Sequence, residues 1–237
     1  MRILSKVYEA TDVGCVRPIN EDSAAVFDPE VYVVADGMGG HAAGEVASHI
    51  LVKAVRDDLA DCGSIEEQAL CRAIRRANHE ILATVAENPD CQGMGTTATL
   101  LHTEQGLAFW AHVGDSRLYL LRDGVLHQVT RDHSYVEDLV EHGELTEAEA
   151  RIHPQKNMLT RAVGVAEALE VDSGRFDVRT GDILLLATDG LMNMVREEEI
   201  ASILQQGQQD PARALIEAAL RSGGRDNVTA VVVVYGV

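Results

Sequence analysis

The chain has 237 residues, of which 46% are apolar and 24% charged, a composition typical of a soluble globular protein with one domain. It carries 38 acidic and 20 basic residues, which gives a formal charge of −18. Because nucleic acids and anionic membranes would repel such a chain, we expect neither as a partner. The acidic excess has two interpretations: solubility alone, or carboxylates that hold divalent cations.

The chain has four scattered cysteines: Cys15, Cys62, Cys71 and Cys91. None belongs to a C-x-x-C pair, which argues against a zinc site and predicts reduced thiols. The longest apolar runs, 183–187 and 230–235, are far shorter than the roughly 20 residues that span a bilayer. With no secretory signal in the first residues, these features predict a cytoplasmic protein.

Apolar patterns predict the secondary structure in chain order. Alternating or continuous apolar runs predict strands at 31–35, 107–113, 117–121, 125–129, 183–187 and 228–235. One-sided apolar stripes predict helices at 43–59, 65–85, 197–206 and 211–221. Ser64, followed three residues later by Glu67, has the form of a capping box and predicts the start of the second helix.

The order of these elements indicates the fold class. Strands cluster between residues 95 and 129 and do not alternate regularly with helices, which favours an α+β fold of antiparallel sheets flanked by helices. The segment 134–160 is polar, acidic and weakly helical, and we expect it to form a surface excursion from the core.

Three aspartates lie at the edges of predicted buried strands, and they indicate the chemistry of the site. Asp36 and Asp189 each end an apolar run and precede glycine, while Asp226 directly precedes the last strand. A single Asp-Gly pair is ordinary turn chemistry. Three carboxylates at such positions, with no matching cluster of lysine or arginine, instead favour a site for Mg²⁺ or Mn²⁺, which prefer oxygen ligands.

Two further motifs have both functional and structural interpretations. The glycine-rich stretch 36–44 allows the backbone to approach an ion or a phosphate, or forms a flexible turn, and it lacks the pattern of a nucleotide-binding P-loop. Arg17 lies four residues before Glu21, which Asp22 follows directly. It can form a surface ion pair with these two carboxylates, or it can bind a phosphate while one of the carboxylates helps to bind a metal ion.

Together these motifs resemble the metal-dependent protein phosphatases of the type 2C family, in their short bacterial single-domain form. The ordered set is Arg17 with 20–22, 36–41, 95–97, 113–117, 189–190 and 226–227, and the resemblance runs from about residue 10 to 234. It implies an αββα four-layer sandwich, one domain over 1–237 and a flap subdomain at about 134–160. It also implies hydrolysis of phosphoserine and phosphothreonine by a water that bridges two Mn²⁺ or Mg²⁺ ions.

The resemblance also implies ligands for the metal ions. Asp36 would bridge both ions, and Asp189 and Asp226 would complete the first. The backbone carbonyl of Gly37 would serve the second ion, with Glu21 contributing directly or through water. Two metals so placed can activate a water without a covalent nucleophile.

Other residues receive roles beside the two metals. By the resemblance, Arg17 would bind the substrate phosphate, and Asp115 would share a third, weaker metal with Asp189. Met38 stands where eukaryotic members have a histidine, so the general acid is His41 or a metal-bound water. His41 can equally cap the following helix. Asn193 replaces an aspartate of eukaryotic members, which weakens the case for a third metal.

Three classes of function remain at this point. The first is an active phosphatase that reverses a serine/threonine kinase on phosphorylated proteins and acts as a monomer. The second is a binding module that has lost its metals, against which the three intact aspartates argue. The third is a phosphatase dedicated to one regulator in a partner-switching pathway, a class that usually carries extra sensory domains.

Overall fold

The computed structural model describes residues 5–39, 43–60 and 62–236. The strands within these ranges are β1 (Lys6–Asp12), β2 (Asp22–Phe27), β3 (Val31–Met38), β4 (Gly95–Thr96), β5 (Ala98–Glu104), β6 (Leu107–Val113), β7 (Arg117–Arg122), β8 (Val125–Gln128), β9 (Asp172–Asp177), β10 (Ile183–Ala187) and β11 (Val228–Val234). The α-helices are α1 (Ala43–Leu59), α2 (Glu67–Glu87), α3 (Tyr135–Glu141), α4 (Glu147–Ala150), α5 (Asp189–Met192), α6 (Glu197–Gln205) and α7 (Pro211–Arg221).

The strands form two sheets in which every assigned pair is antiparallel. The first sheet has the order β1-β11-β10-β7-β8, and the second has the order β2-β3-β5-β6-β9 with β4 paired to β3. The predicted strands at 107–113 and 183–187 and the helices at 43–59 and 211–221 have the predicted bounds. A turn at Asp123-Gly124 joins β7 to β8 in an antiparallel hairpin.

The two sheets face each other and each carries helices on its outer face. Residues such as Tyr32, Leu101, Leu118 and Leu184 fill the space between the sheets. A second core joins α1 and α2 to the second sheet, and a third joins α5, α6 and α7 to the first. Burying each large apolar side chain contributes about 1.5–3 kcal/mol, so both faces of the central strands stabilise the sandwich. The αββα prediction is confirmed.

The predicted start of the second helix is wrong. The helix begins at Glu67 with Glu66 as its N-cap residue, and no side chain caps it. The Ser64 hydroxyl instead donates a hydrogen bond to Glu66 Oε1 at 3.3 Å. The first helical hydrogen bonds run from the Ala69 and Leu70 amides to the Glu66 carbonyl, so the helix starts two residues later than a Ser64 cap requires.

The structure also bears on the cysteines and on membrane spans. All four cysteines are free thiols. Among the described ranges, no helix has the length and apolar character needed to cross a membrane.

Candidate metal centre and active site

The predicted metal-binding aspartates meet where strands of the two sheets end. β10 and β11 are antiparallel neighbours, so Asp189, just after β10, and Asp226, just before β11, lie at the same edge of the first sheet. Asp36 lies within β3 of the second sheet, close enough to Asp189 for the two carboxyl groups to repel each other. The sandwich therefore brings carboxylates from both sheets together.

The backbone around Asp36 is held by two threonines. The Asp36 amide donates to Thr97 Oγ1 at 2.8 Å, and the Asp36 carbonyl accepts from the Thr97 amide at 2.9 Å and from Thr96 Oγ1 at 3.0 Å. The next residue, Gly37, has no room for a side chain, because a Cβ there would lie 2.2 Å from the carbonyl oxygen of Gly44. This crowding, rather than turn flexibility, requires glycine after Asp36.

A fourth aspartate, Asp22, belongs to the same cluster and was not among the predicted ligands. It lies opposite Asp36 in the β2–β3 pair and is only 6% exposed. Its Oδ2 accepts hydrogen bonds from Thr188 and Thr229 at 2.8 and 2.7 Å, while its buried Oδ1 has no partner in the described residues. An unpaired buried carboxylate oxygen costs free energy unless it meets a proton, a water or a cation.

Burial and mutual repulsion raise the pKa values of these carboxyl groups. Burial and the charges of nearby aspartates raise the pKa of Asp22 to about 7, although the hydrogen bonds from Thr229 and Thr188 oppose this rise. Burial and the charge of Asp226 raise the pKa of Asp189 to about 6. Burial and neighbouring aspartates also raise the pKa of Asp36 and Asp115 well above the usual range. A cluster of oxygen ligands that repel one another suits hard divalent cations.

The carboxyl groups of the cluster do not point at one common position. Within 5–39, 43–60 and 62–236, no three His, Cys, Asp or Glu side chains are positioned to hold a metal ion as they stand. Both carboxylate oxygens of Asp226 instead contact Arg17, whose Nε and Nη2 lie 2.8 and 2.9 Å away. The hydrogen bond to Asp226 also raises the pKa of the Arg17 guanidinium.

Asn227 positions the loop that carries Arg17 and Glu21. Its Nδ2 donates to the carbonyl oxygens of Val13 and Ile19 at 2.9 Å, and its Oδ1 accepts from the Glu21 amide at 2.9 Å. Glu21 is half-buried, and burial raises the pKa of its carboxyl group. Asn227 thus links the predicted phosphate-binding loop to the start of β11, a role that its place beside Asp226 could have suggested.

Asp115 follows a glycine that two buried histidines hold in place. His112 Nε2 donates to the Gly114 carbonyl at 3.0 Å, and the Gly114 amide donates to His133 Nδ1 at 3.1 Å. His133 Nε2 lies 3.2 Å from Asp172 Oδ2, and burial lowers the pKa of both rings, that of His112 to about 3. Both histidines therefore have structural contacts. His41, the candidate general acid or helix cap, lies outside the described residues.

The segment 134–160 leaves the core and returns to it at one point. The Thr160 amide donates to the His133 carbonyl at 2.9 Å, and the Tyr135 amide donates to the Met158 carbonyl at 2.8 Å. Between these stems lie the short helices α3 and α4, and the capping box of Thr146 and Glu149 begins α4. This segment, together with Asp115, Asp189 and the start of α6, lines a cavity of about 740 Å³.

Comparison with known proteins places the chain in a family. The family model for protein phosphatase 2C matches residues 19–222. This chain belongs to the protein phosphatase 2C family. It is an enzyme of the serine/threonine phosphatase class. The serine/threonine phosphatase stp of Listeria monocytogenes is 40% identical over 234 residues, covering 94% of this chain and 93% of that protein.

Solved structures of relatives have the same fold. The crystal structure of the Mycobacterium tuberculosis serine/threonine phosphatase PstP superposes with a TM-score of 0.91 at 41% identity, covering 97% of each chain. The PstP catalytic domain in complex with two manganese ions superposes with a TM-score of 0.90 at 40% identity, covering 98% of each chain. Protein phosphatase 2C enzymes are metal-dependent, and a relative thus holds the metal that the carboxylate chemistry of this chain favours.

Proposed function

We propose that this chain is a single-domain phosphatase that hydrolyses phosphoserine and phosphothreonine in proteins and so reverses a serine/threonine kinase. The observation that carries the proposal is the cluster of mutually repelling carboxylates at the junction of the two sheets. The cluster has oxygen ligands, excess negative charge and a buried oxygen without a partner, and all three features fit divalent cations.

Asp36, Asp189 and Asp226, with the Gly37 carbonyl and Glu21, would hold two Mn²⁺ or Mg²⁺ ions. When bound, such ions would lower the pKa of a shared water and aim it at the phosphorus of the substrate. The ions would also offset the repulsion between the phosphate and a chain of charge −18. Asp115, with Asp189, would contribute to a weaker third site.

Arg17 and Asp226 are neighbours that would have different roles at the site. The guanidinium of Arg17 donates to both oxygens of Asp226. The same two-pronged geometry would let Arg17 bind two oxygens of the substrate phosphate, while Asp226 would hold a metal ion. His41, or a water, then protonates the leaving oxygen of the substrate. Arg17 thus acts in substrate binding, and Asp226 in metal binding.

The experiment is steady-state hydrolysis of phosphoserine and phosphothreonine peptides by the EDTA-treated protein, with and without added Mn²⁺ or Mg²⁺. We expect turnover only with metal, and its loss in Asp36→Asn. Asp57→Asn is the matched control, since Asp57 is an exposed carboxylate on α1 that pairs with Lys53. Equal activity in Asp36→Asn and Asp57→Asn would contradict the assignment, as would full activity without metal.

A further inference from the structure

The cavity between residues 134–160 and the metal centre is lined by five basic and six acidic side chains. Five basic side chains line it: Arg117, Arg131, Arg151, Lys156 and Arg196. The whole chain has only 20 lysines and arginines against 38 acidic residues. A quarter of all the basic residues thus face one cavity, and that cavity reaches Asp115 and Asp189.

Two of the five cations are neutralised by neighbouring carboxylates. Arg117 donates two hydrogen bonds to Asp132, at 2.8 and 2.7 Å, and lies 3.5 Å from Glu197. Arg131 lies 2.7 Å from Glu141 and 3.5 Å from both Glu137 and Asp138 on α3. These pairs involve three of the six carboxylates that line the cavity: Asp132, Glu137 and Glu197. Asp115 and Asp189 belong to the metal centre, so Glu147 alone remains to oppose the other three cations.

The other three cations have no carboxylate partner among the described residues. Arg151 ends α4 and Arg196 precedes α6, and both side chains are exposed. Lys156 Nζ donates to Asn193 Oδ1 at 2.6 Å, and Asn193 Nδ2 donates to Asp189 Oδ2 at 2.9 Å. Lys156 is therefore held two hydrogen bonds from the metal centre, while Arg151 and Arg196 lie farther along the same cavity.

We infer that Arg151, Lys156 and Arg196 bind acidic residues that flank the phosphoresidue of the protein substrate. The inference rests on the proposed function and names its substrate class: phosphoproteins with aspartate or glutamate near the modified residue. Arg17 does not line this cavity, so a phosphate at Arg17 leaves the three cations for other groups of the same substrate. A cavity of about 740 Å³ lies within the ~300–1,000 Å³ range of ligand-binding pockets.

Charge complementarity is needed here because the rest of the protein repels acidic peptides. With a net charge of −18, an acidic segment approaches favourably only where local cations outweigh the surrounding carboxylates. Each exposed pair of opposite charges contributes modestly, so we expect two or three of them to change the preference among substrates by about fivefold. Salt should weaken the preference, since the Debye length falls below ~10 Å above 0.1 M.

The test compares three phosphothreonine peptides of equal length, with flanking glutamates, alanines or lysines, in the presence of Mn²⁺. For the wild-type chain, we expect kcat/KM to be highest for the glutamate peptide, mainly through a lower KM. In Arg151→Gln/Arg196→Gln, the ratio of kcat/KM between the glutamate and alanine peptides should fall about fivefold. Arg213→Gln/Arg221→Gln on α7 removes the same charge outside the cavity and should leave that ratio unchanged.

A second measurement keeps this inference separate from the proposed function. Fluorescence anisotropy of an unphosphorylated, glutamate-rich peptide reports binding to the cavity without turnover. We expect weaker binding to Arg151→Gln/Arg196→Gln than to the α7 variant. An unchanged peptide ratio together with unchanged anisotropy would overturn the inference, even if the neutral phosphopeptide is hydrolysed normally. Failure to hydrolyse any phosphopeptide would refute the proposed function, while the anisotropy still decides the inference.

Discussion

Replacing Asp189 by asparagine should stabilise the metal-free protein while abolishing its metal-dependent activity. Burial and the charge of Asp226 raise the pKa of Asp189 from 3.8 to about 6. A carboxyl group whose pKa is higher in the folded than in the unfolded state opposes folding once it ionises. The cost is absent below pH 4, grows between about pH 4 and pH 6, and is complete at neutral pH.

The pKa shift sets an upper limit on the gain in stability. A rise in the pKa of Asp189 from 3.8 to about 6 lowers the free energy of unfolding by about 3 kcal/mol at neutral pH. Asparagine keeps an oxygen that can accept the hydrogen bond from Asn193, so this contact is retained. Because 1 kcal/mol shifts the Tm of a chain of this size by about 2–4 °C, we expect a rise of several degrees in EDTA at pH 7.5.

Thermal unfolding in EDTA at pH 4 and pH 7.5 measures this effect. Asp182→Asn is the matched control with the opposite expectation. Burial alone would raise the pKa of Asp182, but the hydrogen bonds from Arg122 lower it, so its charge stabilises the fold. At pH 7.5 Asp189→Asn should unfold above the wild type and Asp182→Asn below it. If both variants unfold below the wild type by similar amounts, the ionised Asp189 carboxylate does not destabilise the metal-free protein, and the reasoning is refuted.

Three further predictions concern binding, the flap and packing. Arg17→Ala should raise KM with little change in kcat, because a phosphate contact made equally in the ground and transition states acts as uniform binding; a collapse of kcat at unchanged KM would contradict this. Replacing residues 136–156 by a Gly-Ser linker should keep the rate on p-nitrophenyl phosphate within about tenfold while changing the preference among phosphopeptides; an equal loss on all substrates would refute it. Gly190→Ala should unfold at a lower Tm, since a Cβ would lie 1.9 Å from the Asn227 carbonyl oxygen; an unchanged Tm would show that the backbone relaxes at no cost.

The strands and helices could be predicted where a buried face imposes a clear period. β6 and β10 have the predicted bounds because alternating or continuous apolar residues mark each whole strand. The start of α2 could not be predicted from Ser64, since the capping pattern describes only a local preference and the Ser64 hydroxyl bonds to the Glu66 side chain instead.

The candidate site was partly predictable for a similar reason. Aspartates at strand edges are visible in the sequence, because an apolar run stops at Asp36 and at Asp189 and another starts just after Asp226. Asp22 begins its strand and becomes noticeable only when β2 pairs with β3 and places it opposite Asp36. The contact of Lys156 with Asn193 joins residues 37 positions apart, and no local pattern predicts it.

Titration of the EDTA-treated protein with Mn²⁺, followed by calorimetry and by hydrolysis of a phosphothreonine peptide in the same samples, tests the central claim most directly. The account predicts two ions bound per chain, no turnover before they bind, and loss of both binding and turnover in Asp36→Asn. Turnover by the metal-free protein would contradict it, as would wild-type Mn²⁺ binding by Asp36→Asn.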